Sequence, residues 1–501
     1  MRRERRNGVN RPSRSRVAAL VRNVFGLSAL RPGQQAVIDA VLSGQHTLAI
    51  MPTGAGKSLC YQVPAMLLPG MTVVVSPLIA LMRDQVEKVT ALGLDAVEVN
   101  SAIPAADRHR ARARVRRRAV EFIYTTPEQL ASSDLRKQLT AGAVDLVVID
   151  EAHCISQWGH DFRPAYLDAL SAFRTLGSPT VLALTATATA DVIGDITAQL
   201  GVGPLHVINT GAYRPNLSYQ VRPVSSDADK QRQLLEIVRG RAGATIVYAA
   251  TVRHVELLGQ LLRAEGVPVV TYHGRLRAAD RAESQDAFMN GAVPLIVATN
   301  AFGLGIDKPD IRTVIHYDLP GSLDVYYQES GRAGRDGGPA VCLLLFQRSD
   351  RSLQRFFMAG RYPTADDFVT LVKAWRTANG SALNTVELRE LVPRIALSKL
   401  RVMVAALKQD GLIVERKGSR FETHPRLFST PIDTFIAAYD ARRQRDQAKL
   451  EQMVIYAQTA LCRTRILLEA LGEAAEWSRC GTCDNCRGVS IRPEAAAEGA
   501  A

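Results

Sequence analysis

From about residue 45 to 320, short β-branched apolar runs alternate with longer stretches of helical periodicity. Thr47–Ile50, 72–77 (TVVVSP), 122–127 (FIYTTP), 146–150 (LVVID) and 181–187 (VLALTAT) form a first set. After Arg214-Pro215 a second set follows, at 245–251 (TIVYAAT), 267–274 (VPVVTYHG), 294–299 (PLIVAT) and 313–320 (TVIHYDLP). Strands that are apolar throughout, with helices between them, belong to parallel sheets covered on both faces. Two such sets predict two similar α/β domains in tandem. Beyond about residue 345 the pattern turns helical. In SKLRVMVAALKQDG (398–411), Leu400, Met403, Val404 and Leu407 share one face, and Gly411 is a natural C-terminal stop. LIVER and RFET then flank Lys417-Gly418, a hairpin signal. Helix, helix and hairpin predict a winged-helix-like segment with Lys399, Arg401 and Lys408 off the apolar stripe.

A chain of 501 residues is too long for one hydrophobic core. The pattern divides it into a basic disordered arm (1–18), an ATP-binding α/β domain (19–211) and a second α/β domain (212–345). A helical linker with the winged-helix-like segment (346–430), a zinc-binding module (431–488) and a disordered tail (489–501) complete it. A formal net charge of +13 points to a polyanionic partner. The arginines cluster in the first sixteen residues, as expected of an arm that touches phosphate without reading sequence, and again from Arg108 to Arg118, where a solvated helix face is expected. No stretch approaches the roughly 20 apolar residues of a membrane span. The N-terminal apolar stretch is broken by Arg22 and lacks a small-residue cleavage site, so a cytoplasmic location is expected, on the nucleoid if the cell is bacterial.

MPTGAGKS (51–58) sits between a strand and a helix. Backbone N–H groups of such a loop ring a phosphate at a helix N-terminus; Lys57 reaches the β/γ-phosphates and the Ser58 hydroxyl holds Mg²⁺. Met51 replaces the first glycine of the strict pattern. In LVVIDEAH, Asp150 and Glu151 end an apolar strand; Asp150 would bind the same Mg²⁺, and Glu151 would orient or deprotonate the attacking water. QESGRAGRDG (328–337) places Arg332 and Arg335 three apart, spaced for a helix to point both across a cleft at developing phosphoryl charge.

With these motifs in this order, the chain resembles the RecQ family of superfamily 2 DNA helicases, from about Phe25 to Gly338 and again at the C-terminal cysteines. LRPGQQ (30–35) resembles the adenine-reading segment, SPLIALMRDQV (76–86) motif Ia, LTATAT (184–189) motif III and ATNAFGLGIDKPDIR (298–312) motif V. The resemblance implies two tandem RecA-like domains. It also implies nucleotide contacts from Arg31, Gln34, Thr53, Gly54, Gly56, Gly305, Asp307 and Gln328. DEAHCISQWGHDFRP (150–164) joins motif II to an aromatic-rich loop. There Trp158 and Phe162 suit stacking on bases, beside Gln157, and His160 and Arg163 suit phosphate contact or a relay from Glu151. Implied too are DNA-stimulated hydrolysis, 3′→5′ polarity, single-stranded and tailed or forked DNA as ligands, a single-stranded-DNA-binding protein as partner, and a monomer.

CGTCDNC (480–486) with Cys462 upstream offers four thiolates for tetrahedral Zn²⁺ and matches the family's zinc module. An iron–sulfur cluster uses similar spacing, but no fourth Cys follows Cys486. Three departures from the family stand out. Leu27 occupies the place of an adenine-stacking tyrosine. The winged-helix-like segment precedes the zinc ligands instead of following them. Only fifteen residues follow Cys486, too few for a helicase-and-RNase-D-C-terminal domain. The expected function is an ATP-dependent 3′→5′ DNA helicase acting in repair or recombination. Two alternatives are a DNA-stimulated translocase that separates strands weakly and a DNA-binding regulator using the winged helix and zinc module.

Overall fold

The computed structural model describes residues 13–488 apart from 78, 141–143, 157–163, 174–175, 241–242, 304–307, 379–380, 417–419 and 432. Seven strands form the first sheet: β1 (Thr47–Ile50), β2 (Met71–Val75), β3 (Ala96–Val99), β4 (Phe122–Thr125), β5 (Val144–Ile149), β6 (Thr180–Thr185) and β7 (His206–Asn209). They lie in the order β3-β4-β2-β5-β6-β1-β7, and all pairings are parallel. Their continuous apolar character has a direct cause. Leu48, Ile50, Val73, Val147 and Ile149 pack into one core, while Ala49, Val74, Leu146, Val148 and Leu182 pack into the other. Successive side chains point to opposite faces, and both faces are covered by helices.

The second sheet holds β8 (Leu217–Pro223), β9 (Ala244–Tyr248), β10 (Val270–Tyr272), β11 (Leu295–Ala298), β12 (Ile311–His316) and β13 (Ala340–Phe346), in the order β10-β11-β9-β12-β13-β8. Four strands, β3, β7, β8 and β13, are additional to those expected from the sequence. Three of them are sheet edges, and β7 is mostly exposed, so no continuous apolar run marks it.

Residues through Asp318, with Asp324–Leu345 and the segment from Thr459, form one compact unit; Phe346–Gln458 with Leu319–Leu323 forms another. Within the second unit, helices Ala365–Thr377, Thr385–Leu391 and Leu397–Gln409 pack around Phe368, Leu371, Trp375, Leu400, Met403 and Leu407. Capping boxes at Thr364/Asp367 and Asn384/Glu387 start the first two helices. The antiparallel hairpin β14 (Ile413–Arg416) and β15 (Arg420–Thr423) follows, and Leu383 bridges to Phe421. Three helices and a hairpin in this order make a winged helix. Gly411 closes its third helix with φ +67°, as the sequence required.

Two boundaries differ from the sequence expectation. Ser13 caps a helix over Arg14–Asn23, whose Val17 and Val21 are buried against Ile38, Leu59 and Val63. The segment 1–18 is therefore not a disordered arm throughout; an apolar i, i+4 pair, Val17 and Val21, ties its end into a small cluster of its own with Ile38, Leu59 and Val63. The stretch 431–488 also divides, because the helix Asp433–Gln458 packs with helix Asp350–Arg361 and holds it through Arg351–Glu451 and Tyr362–Asp446 pairs. The cysteines belong to the first unit. Among the described residues no helix is long and apolar enough to cross a membrane.

Candidate active site

The loop after β1 and the residues after β5 meet because β6 alone separates those strands in the sheet. Ligands of open parallel sheets gather at such carboxyl ends. Gly54 and Gly56 have φ of +85° and +78°, a backbone region that only glycine enters without strain. A Cβ on Gly56 would fall 2.6 Å from Gln34 Nε2. Gln34 donates to the carbonyls of Ala55 (2.9 Å) and Gly56 (3.0 Å) and accepts from the Arg31 N–H (2.7 Å), and the Arg31 guanidinium donates to the Gly54 carbonyl. In this conformation the LRPGQQ segment braces the phosphate loop.

Lys57 donates to the Met51 carbonyl at 3.1 Å. Burial pushes its ammonium pKa down, and Glu151 and then Asp150 pull it back up. Burial, and next the adjacent Glu151 carboxylate, push Asp150 up to about 7, with Lys57 opposing. Ser76 Oγ donates to Asp150 Oδ2 at 3.4 Å, and Tyr166 Oη to the Asp150 carbonyl at 2.9 Å. Glu151 stands in the left-handed region at φ 50°, a conformation that side-chain-bearing residues adopt at a cost of about 1–3 kcal/mol and that clusters at functional sites. Its Oε2 is buried, 3.4 Å from His153 Nδ1, and makes no hydrogen bond. His153 Nδ1 lies 3.2 Å from Thr185 Oγ1, which donates to the Thr187 carbonyl. A short polar chain thus joins Glu151 to the LTATAT segment. An orphaned buried carboxylate oxygen beside a lysine and a second acid fits Mg²⁺–ATP and an attacking water; Ser58 and Asp150 would hold the ion.

The second sheet supplies the facing wall. A Cβ on Gly54 would fall 2.9 Å from Arg335 Cγ, and one on Gly331 would fall 3.1 Å from Thr53 Cβ. Arg335 therefore lies against the phosphate loop, close enough that its charge further lowers Lys57. Arg332 is buried with Nε unpaired, and Gln328 is half-buried on the same segment. One guanidinium stitches the two sides together. Arg214 donates through Nη1 to the Thr53 (3.1 Å) and Gly331 (2.8 Å) carbonyls, and through Nη2 to those of Ala333 (2.8 Å) and Gly334 (2.6 Å). Asn216 Nδ2 adds bonds to Gly334 and Gly338 at 2.8 Å each.

A second cluster lies at the edge of the second sheet. The sulfurs of Cys462, Cys480, Cys483 and Cys486 are all within 4.8 Å of one another. Zn–S bonds of about 2.3 Å place tetrahedral sulfurs roughly 3.8 Å apart, so the donors fit Zn²⁺. Although burial raises it, hydrogen bonds from Thr464 and Thr482 and from backbone N–H groups bring the Cys480 thiol down to about 6. Asp484 pairs with Arg463 (2.5 Å) and accepts from the Val221 N–H (2.9 Å), while Ser218 Oγ donates to the Thr482 carbonyl (2.8 Å). The cysteine module thereby occupies the open edge of β8.

Comparison with known proteins gives three family matches: DEAD/DEAH box helicase over residues 31–196, helicase conserved C-terminal domain over 229–337, and RecQ zinc-binding over 424–487. The chain is 42% identical over 346 residues to the ATP-dependent DNA helicase RecQ of Bacillus subtilis (68% of this chain, 58% of the relative). It is 40% identical over 355 residues to the probable ATP-dependent DNA helicase RecS of the same organism (70% of each chain). The chain belongs to the RecQ family. A putative ATP-dependent DNA helicase Q1 of Caenorhabditis briggsae is 42% identical over 341 residues, 66% of this chain and 55% of the relative. This RecQ chain thus spans between half and three-fifths of the length of the Q1 and RecQ relatives. Solved structures share the fold: Mycobacterium smegmatis Lhr bound to ssDNA and AMP-PNP (TM-score 0.56, 23% identity, 83% of this chain and 62% of that one) and MrfA bound to DNA (TM-score 0.56, 18%, 85% and 61%).

The RecQ zinc-binding match covers the four cysteines and supports zinc over an iron–sulfur cluster. Thr53, Gly54 and Arg335 meet where the loop after β1 faces the second sheet, Lys57, Asp150 and Glu151 lie close enough to perturb one another's charge, and Gly56, Ser58 and Arg332 sit on the same loop segments. Gln157, Trp158, His160, Phe162 and Arg163, and also Gly305 and Asp307, fall outside the described residues. Leu27 is 44% exposed. Arg214 carries no motif; its one signal in the sequence is the Arg-Pro-Asn turn near the start of the second domain.

Proposed function

We propose that this RecQ-family chain hydrolyses ATP to move 3′→5′ along single-stranded DNA and unwind tailed or forked duplexes, in repair or recombination. The supporting observation is the two-sided cleft: phosphate loop and strand-end acids on one sheet, Arg335 and the Arg214 clamp on the other. Lys57 binds the β/γ-phosphates, and Glu151 orients water and takes its proton. Arg335, with Arg332, neutralises charge that develops on the transferred phosphoryl group. Bound Mg²⁺ supplies further neutralisation of the phosphate oxygens. Because both sheets contribute, the cleft is complete only when they are closed, so each turnover can alternate their grip on the strand. The polarity rests on the family resemblance.

Coupling is assigned to the 157–163 loop, which follows Ile155 and Ser156; Ser156 Oγ is fixed to Asp195 at 2.8 Å. Trp158 and Phe162 stack on bases beside Gln157, and His160 and Arg163 meet phosphate or relay the γ-phosphate state from Glu151. Gly305, Asp307 and Gln328 complete the nucleotide contacts. We further infer a monomer, a single-stranded-DNA-binding protein as partner, and, in a bacterium, a nucleoid location.

Steady-state ATPase with and without oligothymidine, on wild type and Trp158→Ala, tests this. Stimulation that disappears in the variant while basal turnover survives supports the coupling role. Absence of stimulation in wild type overturns the helicase reading. Stimulation without strand separation on a 3′-tailed duplex selects the translocase alternative.

A further inference from the structure

The arginine run from Arg108 to Arg118 plays no part in the ATP cleft. The helix Ala105–Arg116 packs beside β3, the edge strand five positions from β1, roughly 24 Å across the sheet at ~4.8 Å per strand. Only Ala111 and Val115 anchor it as buried residues. Arginines at alternate positions fall on two files about 200° apart. One file is neutralised locally: Arg110 pairs with Asp107, and Arg114 with Asp95 at 2.7 Å. The other faces helix Ser133–Thr140 across an open groove of about 280 Å³, lined by His109, Arg112, Arg116, Lys137, Gln138 and Asp134.

Among its described lining residues the groove carries more basic side chains than acidic ones. Asp134 is the one acid among them; it lies 3.5 Å from Arg112 and is 69% exposed. Arg112 Nη2 donates to Gln129 at 3.2 Å, but Arg112 Nε and Gln138 Oε1 are buried without partners. Arg116 has no ion pair among the described residues. Like charges four apart on a helix repel, so Arg108, Arg112 and Arg116 in one file disfavour the helix unless an anion lies along them. A file of cations along a groove, with polar atoms left unpaired in its wall, fits a repeating anion better than a single carboxylate.

We propose that this groove binds the sugar-phosphate backbone of a DNA strand, extending the DNA surface down the β3 edge of the first domain. The proposal rests on the DNA-translocating function above. Full-length protein is titrated with fluorescein-labelled oligothymidine by anisotropy over a range of NaCl concentrations. Each phosphate that a variant no longer neutralises lowers the slope of log K against log [salt] by about 0.7 for a single strand. Arg116→Gln should lower the slope by about 0.7, with thermal melt and DNA-free ATPase unchanged. Arg114→Gln removes the same charge from the neutralised file and should leave the slope near wild type. If both variants lower it equally, or neither does, the groove is not the site. If wild type shows no salt-dependent binding, the DNA reading itself falls.

Discussion

Arg214 illustrates what a single side chain does in this protein. Four carbonyls from two motifs converge on its guanidinium, and hydrogen bonds to a charged donor contribute about 1.5–3 kcal/mol each. A lysine has no planar fork with which to serve four acceptors. Arg214→Lys is therefore expected to lower kcat/KM for DNA-stimulated ATP hydrolysis by about tenfold or more, roughly 1.4 kcal/mol, while the isolated sheets remain folded. A normal kcat/KM would show that closure does not depend on this residue. His254 offers a stability test. Its Nδ1 lies 2.8 Å from Asp318 Oδ2, whose carboxylate raises the imidazole pKa against the burial that lowers it. A raised folded-state pKa means that protonation favours the fold: the contribution is full below the unfolded value near 6.5 and fades as pH climbs through the raised value. His254→Gln should then lower Tm more at pH 6 than at pH 8; an equal loss at both would assign the residue a packing role only. The motif residues were legible because phosphate chemistry restricts residue type and spacing. Arg214 was not, since its value lies in carbonyls that come together only after folding.

At the level of elements, the zinc module and β8 depend on each other. Edge strands expose unpaired backbone groups and invite association with other chains. Here Asp484 accepts the Val221 N–H, Ser218 reaches Thr482, and Glu473 accepts the Ala212 N–H at 2.8 Å. Ala212 and Ser218 bracket Arg214, so the cysteine module also steadies the linker that carries the clamp. These contacts tie the state of the zinc module to the ATP cleft. Zinc chelation, or Cys483→Ser, should lower Tm, promote aggregation and reduce DNA-stimulated ATPase together, as followed by calorimetry, light scattering and turnover. Unaltered stimulation after complete zinc removal would break the link to Arg214. The apolar central strands other than β13 were readable along the chain because both their faces are buried. The edges β3, β7 and β8 were not, because an edge strand is defined by its neighbours more than by its own residues.

For the whole molecule, the placement of the winged helix is the feature that sets this chain apart from the expected arrangement. It forms a compact unit within Phe346–Gln458, ahead of the cysteines, with its hairpin arms tied to each other by an Arg416–Glu422 pair (2.6 Å) and to helix Thr385–Leu391 by Arg420–Glu387 (3.0 Å). Replacing 417–420 with a Gly/Ser turn should reduce unwinding of a 3′-tailed duplex several-fold and leave single-stranded-DNA-stimulated ATPase intact; unchanged unwinding would remove the hairpin from strand separation. By itself the sequence determined the two parallel-sheet domains, the order of their motifs and the four metal donors. Each of these follows from local rules: apolar runs for buried strands, glycines where φ is positive, thiolate spacing for a tetrahedral ion. Only the tertiary structure decided that Arg214 binds carbonyls of both motifs, that the cysteine module occupies the edge of β8, and that residues 14–23 pack against Ile38, Leu59 and Val63. Those outcomes depend on groups distant in the chain meeting at hydrogen-bond distance, and no local pattern encodes such a meeting.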